Sequence, residues 1–343
     1  MRGRRAVRMA AACSSRWKRG GQRALTVAFA TAALIALSAC ASDPNTNNAD
    51  TTAAPAYPPV PASFYETWSD GNGEVNSYEL VEERYGERRE GNAVLVFAAE
   101  ELNRNTYVKV ESDATPQDQR MYVIKLNQLR KFPTGIYDYS AMTTVFSVAG
   151  SHLGHHPFQA ARVVHTTQEW CGQVYHRVDL TESGWKEELR SYFEAEGTQD
   201  RVSPAARTDV EDNLWIWIRE LGGRVLEPGE TVEMQLYPSL WELRKTHRPF
   251  DAAPVVVKKD AAAPFETPVG TFDAYPWSWT VSGRALTVYV EAEGAHRILG
   301  WEDSRGGRAR LARSERLPYW RMHGTDADEA RERFGLPGFG IAG

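Results

Sequence analysis

The sequence predicts a mainly β protein, built as one large curved antiparallel sheet or (half-)barrel with two short helices. Beyond residue 62, apolar and polar residues alternate with period two, and Gly, Pro, Asn and Asp interrupt the alternation at short intervals. Such alternation is typical of antiparallel strands with one buried face. Only two stretches combine a helical pattern with start and stop signals, and many short strands with few helices favour a barrel-like architecture.

The strand prediction covers almost the whole chain beyond residue 62. Fourteen runs are predicted as strands: residues 75–85, 93–99, 107–111, 121–129, 136–148, 158–167, 173–180, 188–196, 231–237, 255–259, 271–281, 285–293, 297–301 and 308–316.

The first predicted helix covers residues 208–221, with Thr208 or Asp209 as its cap and Glu211 in the capping-box position. Three apolar side chains would share one face of this helix: Leu214, Ile218 and Leu221. The pattern therefore predicts an amphipathic helix.

The second predicted helix covers residues 326–334 and is stopped by Gly335 and Pro337.

We expect residues 63–343 to form a β-rich periplasmic domain. Its halves, 63–206 and 224–343, would be joined by the first helix.

Residues 1–39 resemble a bacterial lipoprotein signal peptide. Eight basic residues and no acid precede the uncharged, mostly apolar run 24–39. That run has 16 residues, whereas a spanning helix needs about 20. It ends in Leu37-Ser38-Ala39-Cys40, which resembles a lipobox and implies that Cys40 carries palmitate and other acyl chains.

Residues 40–62 follow as the lipidated cysteine and a polar, Pro-rich segment that predicts a disordered tether. Ala41 and Ser42 stand after Cys40, without the Asp that in Gram-negative lipoproteins favours inner-membrane retention. We therefore expect a lipid-anchored protein on the periplasmic face of the outer membrane.

The charge of the chain argues against nucleic-acid binding. The leader holds eight of the 40 basic residues, so the remaining chain carries a formal charge of −13 rather than −5. An acidic surface of this kind repels polynucleotides. The expected partners are the membrane, through the acyl chains, and a hydrophobic ligand or another envelope protein.

The aromatic run around residue 277 is a candidate ligand-binding surface. Tyr275, Trp277 and Trp279 share parity and would line one face of a strand. They would either line a cavity for an acyl chain or glycan or pack between sheet and helix. Trp170 is a fourth candidate for ligand contact.

Three segments carry a resemblance to a known family: residues 134–143, the Gln-Glu-Trp-Cys-Gly motif at 168–172, and 191–194. They resemble a family of uncharacterised bacterial outer-membrane lipoproteins, whose members sometimes carry the label "septum formation inhibitor Maf". The resemblance covers roughly residues 64–200. It implies an exported lipoprotein and supplies no catalytic residues.

Two groups of residues are candidates for chemistry. Cys171 is the one cysteine left after leader removal and lipidation, so it would be a packed thiol or a nucleophile with His165 as its base. His176 would point to the opposite face of a regular strand.

The other group is a histidine loop, His152, His155 and His156, which is either solvated or a zinc or copper site.

The sequence thus leaves two hypotheses and indicates no cofactor. The favoured one is a non-enzymatic, membrane-anchored periplasmic lipoprotein that binds a lipid, an envelope polymer or an envelope protein. The alternative is a hydrolase or thiol enzyme that uses Cys171 or the histidine loop.

Overall fold

The computed structural model describes residues 59–221 and 225–336. In these residues, sixteen strands form one large curved sheet that remains unclosed. Strands β1 to β16 are, in chain order, Gly73–Arg84, Glu87–Asn103, Arg120–Thr134, Tyr137–Val148, Ala160–Glu169, Gly172–Thr181, Gly184–Ser191, Thr198–Ser203, Thr208–Val210, Thr231–Tyr237, Ala253–Lys259, Ala263–Thr267, Gly270–Val281, Arg284–Glu291, Ile298–Asp303 and Arg308–Leu317. Helices α1 to α4 are Ala62–Trp68, Leu214–Glu220, Leu240–Thr246 and Asp328–Arg333.

The sheet order follows the chain in two runs that meet at β1. The order is β8 to β1 descending, then β16, β15, β14, β13, β11, β10 and β9, with β12 paired to β13. Neighbouring strands are antiparallel except β9 and β10, which are parallel. Because β1 pairs with β16, strands from the early and the late part of the chain belong to the same sheet.

The two edge strands, β8 and β9, are linked through side chains near the short connection between them. Trp185 on β7 donates from Nε1 to the Thr208 hydroxyl on β9, at 2.9 Å. Tyr237 on β10 donates from its hydroxyl to the carbonyl of Pro204, at 2.7 Å. The rings of Trp185 and Tyr237 also meet edge-on, with centroids 6.5 Å apart. These contacts hold together the region in which the two edges of the sheet approach each other.

Helix α2 lies inside the curve of the sheet. Each residue from Leu214 to Arg219 is at most 4 % exposed, so the helix is buried on all sides rather than amphipathic as predicted. Trp215 packs on Trp301 of β15, with ring centroids 5.1 Å apart. Trp217 packs on Trp277 of β13, at 6.0 Å. The sheet is therefore wrapped around this helix.

Both ends of α2 lie close to β1 or α1. At its C-terminal end, Arg219 forms an ion pair with Glu74 at the start of β1, and Trp68 of α1 donates to Glu220 at 3.0 Å. At its N-terminal end, Asp212 lines the same small cavity as Glu82, near the end of β1. The helix and the turn before it thus lie alongside β1, of whose length the seven helical residues cover only about 10 Å.

The helix predictions are partly wrong. The described residues hold four α-helices rather than two, and α1 and α3 were not predicted. Thr208 and Asp209 lie in β9 and do not cap α2, which begins at Leu214. The Asp209 carboxylate instead accepts a hydrogen bond from Asn213 Nδ2, at 2.6 Å. Helix α4 lies inside the predicted range and is followed by Gly335 at φ 61°, a left-handed residue of the type that ends helices.

The strand predictions agree with the structure at thirteen of fourteen runs. Residues 107–111 form no strand and contribute a single bridge, from Leu102 to Lys109. Strands β8, β9 and β12 were not predicted. Strand β8 has no fully buried residue, so its sequence lacks the apolar alternation on which such predictions depend.

The predicted leader, Cys40 and most of the tether lie in residues 1–58, outside the described residues. Within residues 59–221 and 225–336, no helix has both the length and the apolarity that crossing a membrane would require.

We expect Trp185→Ala to lower the free energy of unfolding by about 3–5 kcal/mol, because it removes a fully buried indole and leaves a cavity. The matched control is Val202→Ala on the neighbouring strand β8, where the side chain is 56 % exposed. Urea unfolding of both variants measures the difference. Equal stability of the two variants would show that the β7–β9 region is not packed as described.

Candidate functional site

Four alternate hairpins place their turns at one end of the sheet, which we call the tip end. The turns are residues 85–86, 135–136, 170–171 and 192–197. Strands β1 to β8 are antiparallel neighbours in chain order, so every second turn falls at the same end. Adjacent tips are two strands apart, which corresponds to a spacing of roughly 10 Å.

The tip end carries large apolar side chains in contact with solvent. Ile136 is 86 % exposed, and Trp170 and Tyr192 are each 74 % exposed. These are the highest values among the large hydrophobic residues that the structure describes. Tyr85, on the remaining turn, is 55 % exposed. Exposed apolar groups gathered in one region mark an interaction surface.

The Gln-Glu-Trp-Cys-Gly motif forms the β5–β6 turn. Trp170 stacks on Tyr137, with ring centroids 6.0 Å apart and planes inclined by 24°. Glu169 points inward, where it accepts the Cys171 backbone N–H at 3.1 Å and lies 3.5 Å from the guanidinium of Arg244 on α3. The motif therefore fixes an exposed aromatic turn to a buried helix.

The three segments that carry the family resemblance meet at the tip end. Residues 134–143 contain the β3–β4 turn, 168–172 the β5–β6 turn, and 191–194 the start of the β7–β8 turn. Gly172 packs under the Tyr192 ring, and a Cβ atom there would lie 2.6 Å from that ring. Glycine is thus required for neighbouring turns to approach.

Helix α3 covers the tip end from the inside. Its Trp241 packs against Phe132, Tyr139 and His165, with ring centroids 6.4, 6.1 and 5.8 Å away. The helix is held in place by acidic side chains from the turn before α2. These contacts bring α3, which follows β10, onto the inner surface of β3 to β5.

Glu211 and Asp212 bind the N-terminus of α3. The backbone N–H of Ser239 donates to Glu211 Oε2 at 3.0 Å, and that of Leu240 donates to Asp212 Oδ2 at 2.9 Å. The Ser239 hydroxyl also donates to Asp212, at 2.7 Å. Carboxylates satisfy helix N-terminal N–H groups and interact favourably with the helix dipole. The two helices are therefore coupled through this turn.

Below α3 lies a buried network of charges. Lys245 pairs with Glu82 at 2.8 Å, and Glu242 lies 3.4 Å from Arg284 and forms a closer pair with Arg305. Removing one member of such a network leaves a buried charge without its partner, which is strongly destabilising. The network thus fixes α3 to β1 and β14.

A cavity of about 220 Å³ lies between α3 and strands β6 to β8. His176 contacts Glu187 at 2.8 Å, and His247 contacts Glu196 at 2.5 Å. Arg244 also lies 3.5 Å from Glu196. The acidic groups of the cavity thus have partners within the protein. The volume is below the roughly 300–1,000 Å³ typical of pockets that enclose drug-sized ligands.

The structure does not join Cys171 and His165 by a hydrogen bond. His165 is fully buried, and its ring nitrogens bond to the hydroxyls of Thr143, at 2.9 Å, and Thr167, at 2.7 Å. Burial holds the pKa of His165 well below its usual value. The Cys171 thiol is exposed and lies 3.8 Å from the Tyr137 hydroxyl.

The three loop histidines have different surroundings. His152 is buried and lies 3.0 Å from the Tyr107 hydroxyl, while His156 Nδ1 contacts the carbonyl of Pro157 at 2.8 Å. Burial lowers the pKa of His152, His155 and His156. Within the part of the chain that the structure describes, no group of three His, Cys, Asp or Glu side chains is arranged to hold a metal ion.

The aromatic run on β13 faces the core. Trp277 and Trp279 are 1 % and 3 % exposed, and Tyr275 is half-buried against the same cluster. Trp279 donates from Nε1 to Glu211 at 2.9 Å. These residues therefore pack between sheet and helix, the second of the two alternatives that the sequence left open, whereas Trp170 lies on the surface.

Sequence reasoning missed most of the tip end. Ile136, Tyr192 and Tyr85 were not proposed as candidates, although each stands in or beside a short turn between two strands. A large apolar residue at a hairpin turn is the signal that could have found them, because turns are normally polar.

Comparisons with known proteins identify no family. No protein-family model matches the chain, and no curated protein does. Among solved structures, the chain is similar to a beta-barrel-like protein of domain of unknown function DUF1849 from Brucella abortus. The match covers 71 % of this chain and 98 % of the other, with 9 % identity and a TM-score of 0.42.

Two buried acids before α2 predict a pH dependence of stability. Burial raises the pKa of Asp209 to about 7 and that of Asp212 to about 6, from 3.8. Above about pH 4 the folded state therefore still holds protons that the unfolded chain has released. The stability that these bound protons contribute is lost as the pH rises through about 6–7. The low pKa of His165 acts in the opposite direction, with stability lost as the pH falls below about 6.5.

We expect Asp209→Asn to remove part of the loss of stability between about pH 5 and pH 8, because ionisation of Asp209 costs on the order of 4 kcal/mol. Urea unfolding at pH 5 and at pH 8 measures the change in the free energy of unfolding between the two pH values. Asp138→Asn, on a carboxylate that is 59 % exposed at the tip end, is the matched control. The same pH slope in Asp209→Asn and in the unmodified chain would refute the assignment.

Proposed function

We propose that this chain is an exported lipoprotein, anchored through Cys40 to the periplasmic face of the outer membrane, that acts by non-enzymatic binding at its tip end. One contrast carries the binding part of the proposal. Helix α2 fills the interior of the sheet, while the three most exposed large apolar side chains of the described residues stand together on hairpin turns.

The anchoring part is supported by the sequence of the leader. Basic residues, a 16-residue apolar run and Leu37-Ser38-Ala39-Cys40 occur in the order that lipoprotein export requires. Two acyl chains hold a protein to a bilayer firmly, since each buried CH₂ contributes about 0.8 kcal/mol. The acidic charge of the remaining chain fits an envelope protein that does not bind nucleic acid.

Among the ligand classes that the sequence left open, a lipid carried inside the sheet fits the geometry least. Trp215, Trp217 and Trp277 occupy the space that a lumen would need. The cavity beneath α3 is smaller than sites that enclose drug-sized ligands. Binding of an envelope component on the outside of the tip end fits better.

No observation favours the alternative of a thiol or histidine enzyme. A cysteine nucleophile needs a base within hydrogen-bond reach, whereas the Cys171 thiol contacts the Tyr137 hydroxyl at 3.8 Å. The ring nitrogens of His165 are engaged by Thr143 and Thr167.

We expect Cys40→Ser to abolish metabolic labelling with palmitate, because the thiol that would carry the acyl chains is gone. The matched control is Cys171→Ser, which removes the exposed thiol at the tip end and should leave labelling unchanged. Palmitate-labelled Cys40→Ser protein would end the anchoring proposal.

We expect native mass spectrometry of the non-acylated Cys40→Ser protein to give the mass of the polypeptide alone, because α2 occupies the interior. A bound mass of lipid size that resists removal while the protein remains folded would contradict binding on the outside. It would favour a carrier role instead.

A further inference from the structure

Three of the four apolar tips are built as tight turns with little unpaired backbone. Residues 85–86, 135–136 and 170–171 are two-residue turns, closed by the strand pairs Arg84↔Glu87, Thr134↔Tyr137 and Glu169↔Gly172. Tyr85 and Gly86 both have positive φ, 58° and 77°, as in the hairpin turns whose twist matches that of the strands. Few backbone groups would therefore lose water if these turns entered an apolar medium.

The side chains on these turns are of the kinds that prefer the boundary between water and lipid. Trp and Tyr combine a large apolar body with a polar group and are enriched at the membrane interface. Trp170 and Tyr192 are such residues, and Ile136 is apolar throughout and the most exposed of the three. The other half of the same end has polar turns, at Ser282 and Ser304. At this end of the sheet, the exposed large apolar side chains are thus confined to the turns between strands β1 to β8.

From these observations we infer that the tip end inserts Ile136, Trp170, Tyr192 and Tyr85 into the headgroup region of a zwitterionic phospholipid bilayer. This attachment goes beyond the proposed anchoring, since it needs no acyl chain.

The spacing of the tips favours a bilayer over a protein partner. Residues that dominate protein interfaces cluster near the centre of a closely packed patch. Here the apolar side chains stand on separate turns, whose backbones are roughly 10 Å apart along the sheet. A fluid interface accepts separate side chains without shape complementarity.

The charges beside the tips favour zwitterionic over anionic lipid. Lys131 lies 3.3 Å from Asp138, next to the Ile136 turn, and Arg89 lies 2.6 Å from Glu87, next to the Tyr85 turn. Acids and bases are therefore mixed at this end, and the chain without its leader has a formal charge of −13. Attraction to an anionic surface would need an excess of basic side chains.

The tip end is also the end of the sheet away from the first described residues. Helix α1 lies at the start of β1, where Phe64 packs on Phe158 with centroids 5.3 Å apart and Trp68 contacts Glu220. The 12 residues of β1 separate that end from the tips by roughly 40 Å. Insertion of the tips therefore leaves α1 away from the bilayer surface.

The test uses the chain from residue 40 with Cys40→Ser, which contains all described elements and has Cys171 as its only thiol. An environment-sensitive dye on Cys171 should shift to the blue when vesicles of phosphatidylethanolamine and phosphatidylcholine are added. The same dye on Val108→Cys in a Cys171→Ser background, in the loop between β2 and β3 at the opposite end, should not shift.

Sedimentation with these vesicles gives the second measurement. We expect the triple variant Ile136→Ser, Trp170→Ser, Tyr192→Ser to weaken partitioning by roughly a hundredfold, because it removes most of the apolar area at the tips. The matched control replaces three exposed valines away from the tips: Val202, Val256 and Val269. It should partition like the parent chain, and added salt should change neither value.

Several results would overturn the inference. The first is that the folded parent chain does not sediment with zwitterionic vesicles. The second is that the tip variant and the control variant partition equally. The third is that binding requires anionic lipid and disappears when salt is added. Each would leave the tip end as a surface for a protein or glycan partner, whether or not Cys40 is acylated.

Discussion

The structure depends on one short helix that cannot face water. Helix α2 presents Leu, Trp and Ile side chains in every direction, and burying such side chains contributes about 1.5–3 kcal/mol each. Only a surface that surrounds the helix can bury them all. The sheet does this with strands from both parts of the chain, joined where β1 pairs with β16. The ion pair of Arg219 with Glu74 and the acids at 211 and 212 then fix the helix along the sheet.

The consequences of that arrangement reach the surface. The acids that precede α2 hold the N-terminus of α3, and α3 in turn packs under the turns of β3 to β8 through Trp241 and Arg244. The central helix is thus connected to the tip end by a continuous series of contacts. With the interior occupied, the exposed turns are the part of the domain best suited to meet another envelope component.

The sequence predicted the strands well because their signal is local. Alternation along a strand needs only the residues of that strand, and strands such as β3 and β14 keep it over most of their length. The error at α2 has a physical cause: Leu214 and Ile218 suggest one apolar face, but Trp215 and Trp217 lie on the others, so a helix without a polar face was interpreted as amphipathic. The tip end could not be predicted, because the grouping of Ile136, Trp170 and Tyr192 depends on strand order.

The β13 aromatics could line a cavity or pack in the core, and period-two spacing cannot separate these two interpretations. Their burial in the structure favours packing in the core.

Hydrogen–deuterium exchange of the α2 amides tests the central claim most directly. A helix enclosed by the sheet can exchange only when the sheet opens, so residues 214–220 should be among the slowest in the domain, with protection that falls in parallel with global stability in urea. Rapid exchange at 214–220, while the amides of β3 and β4 remain protected, would show that the sheet does not enclose this helix.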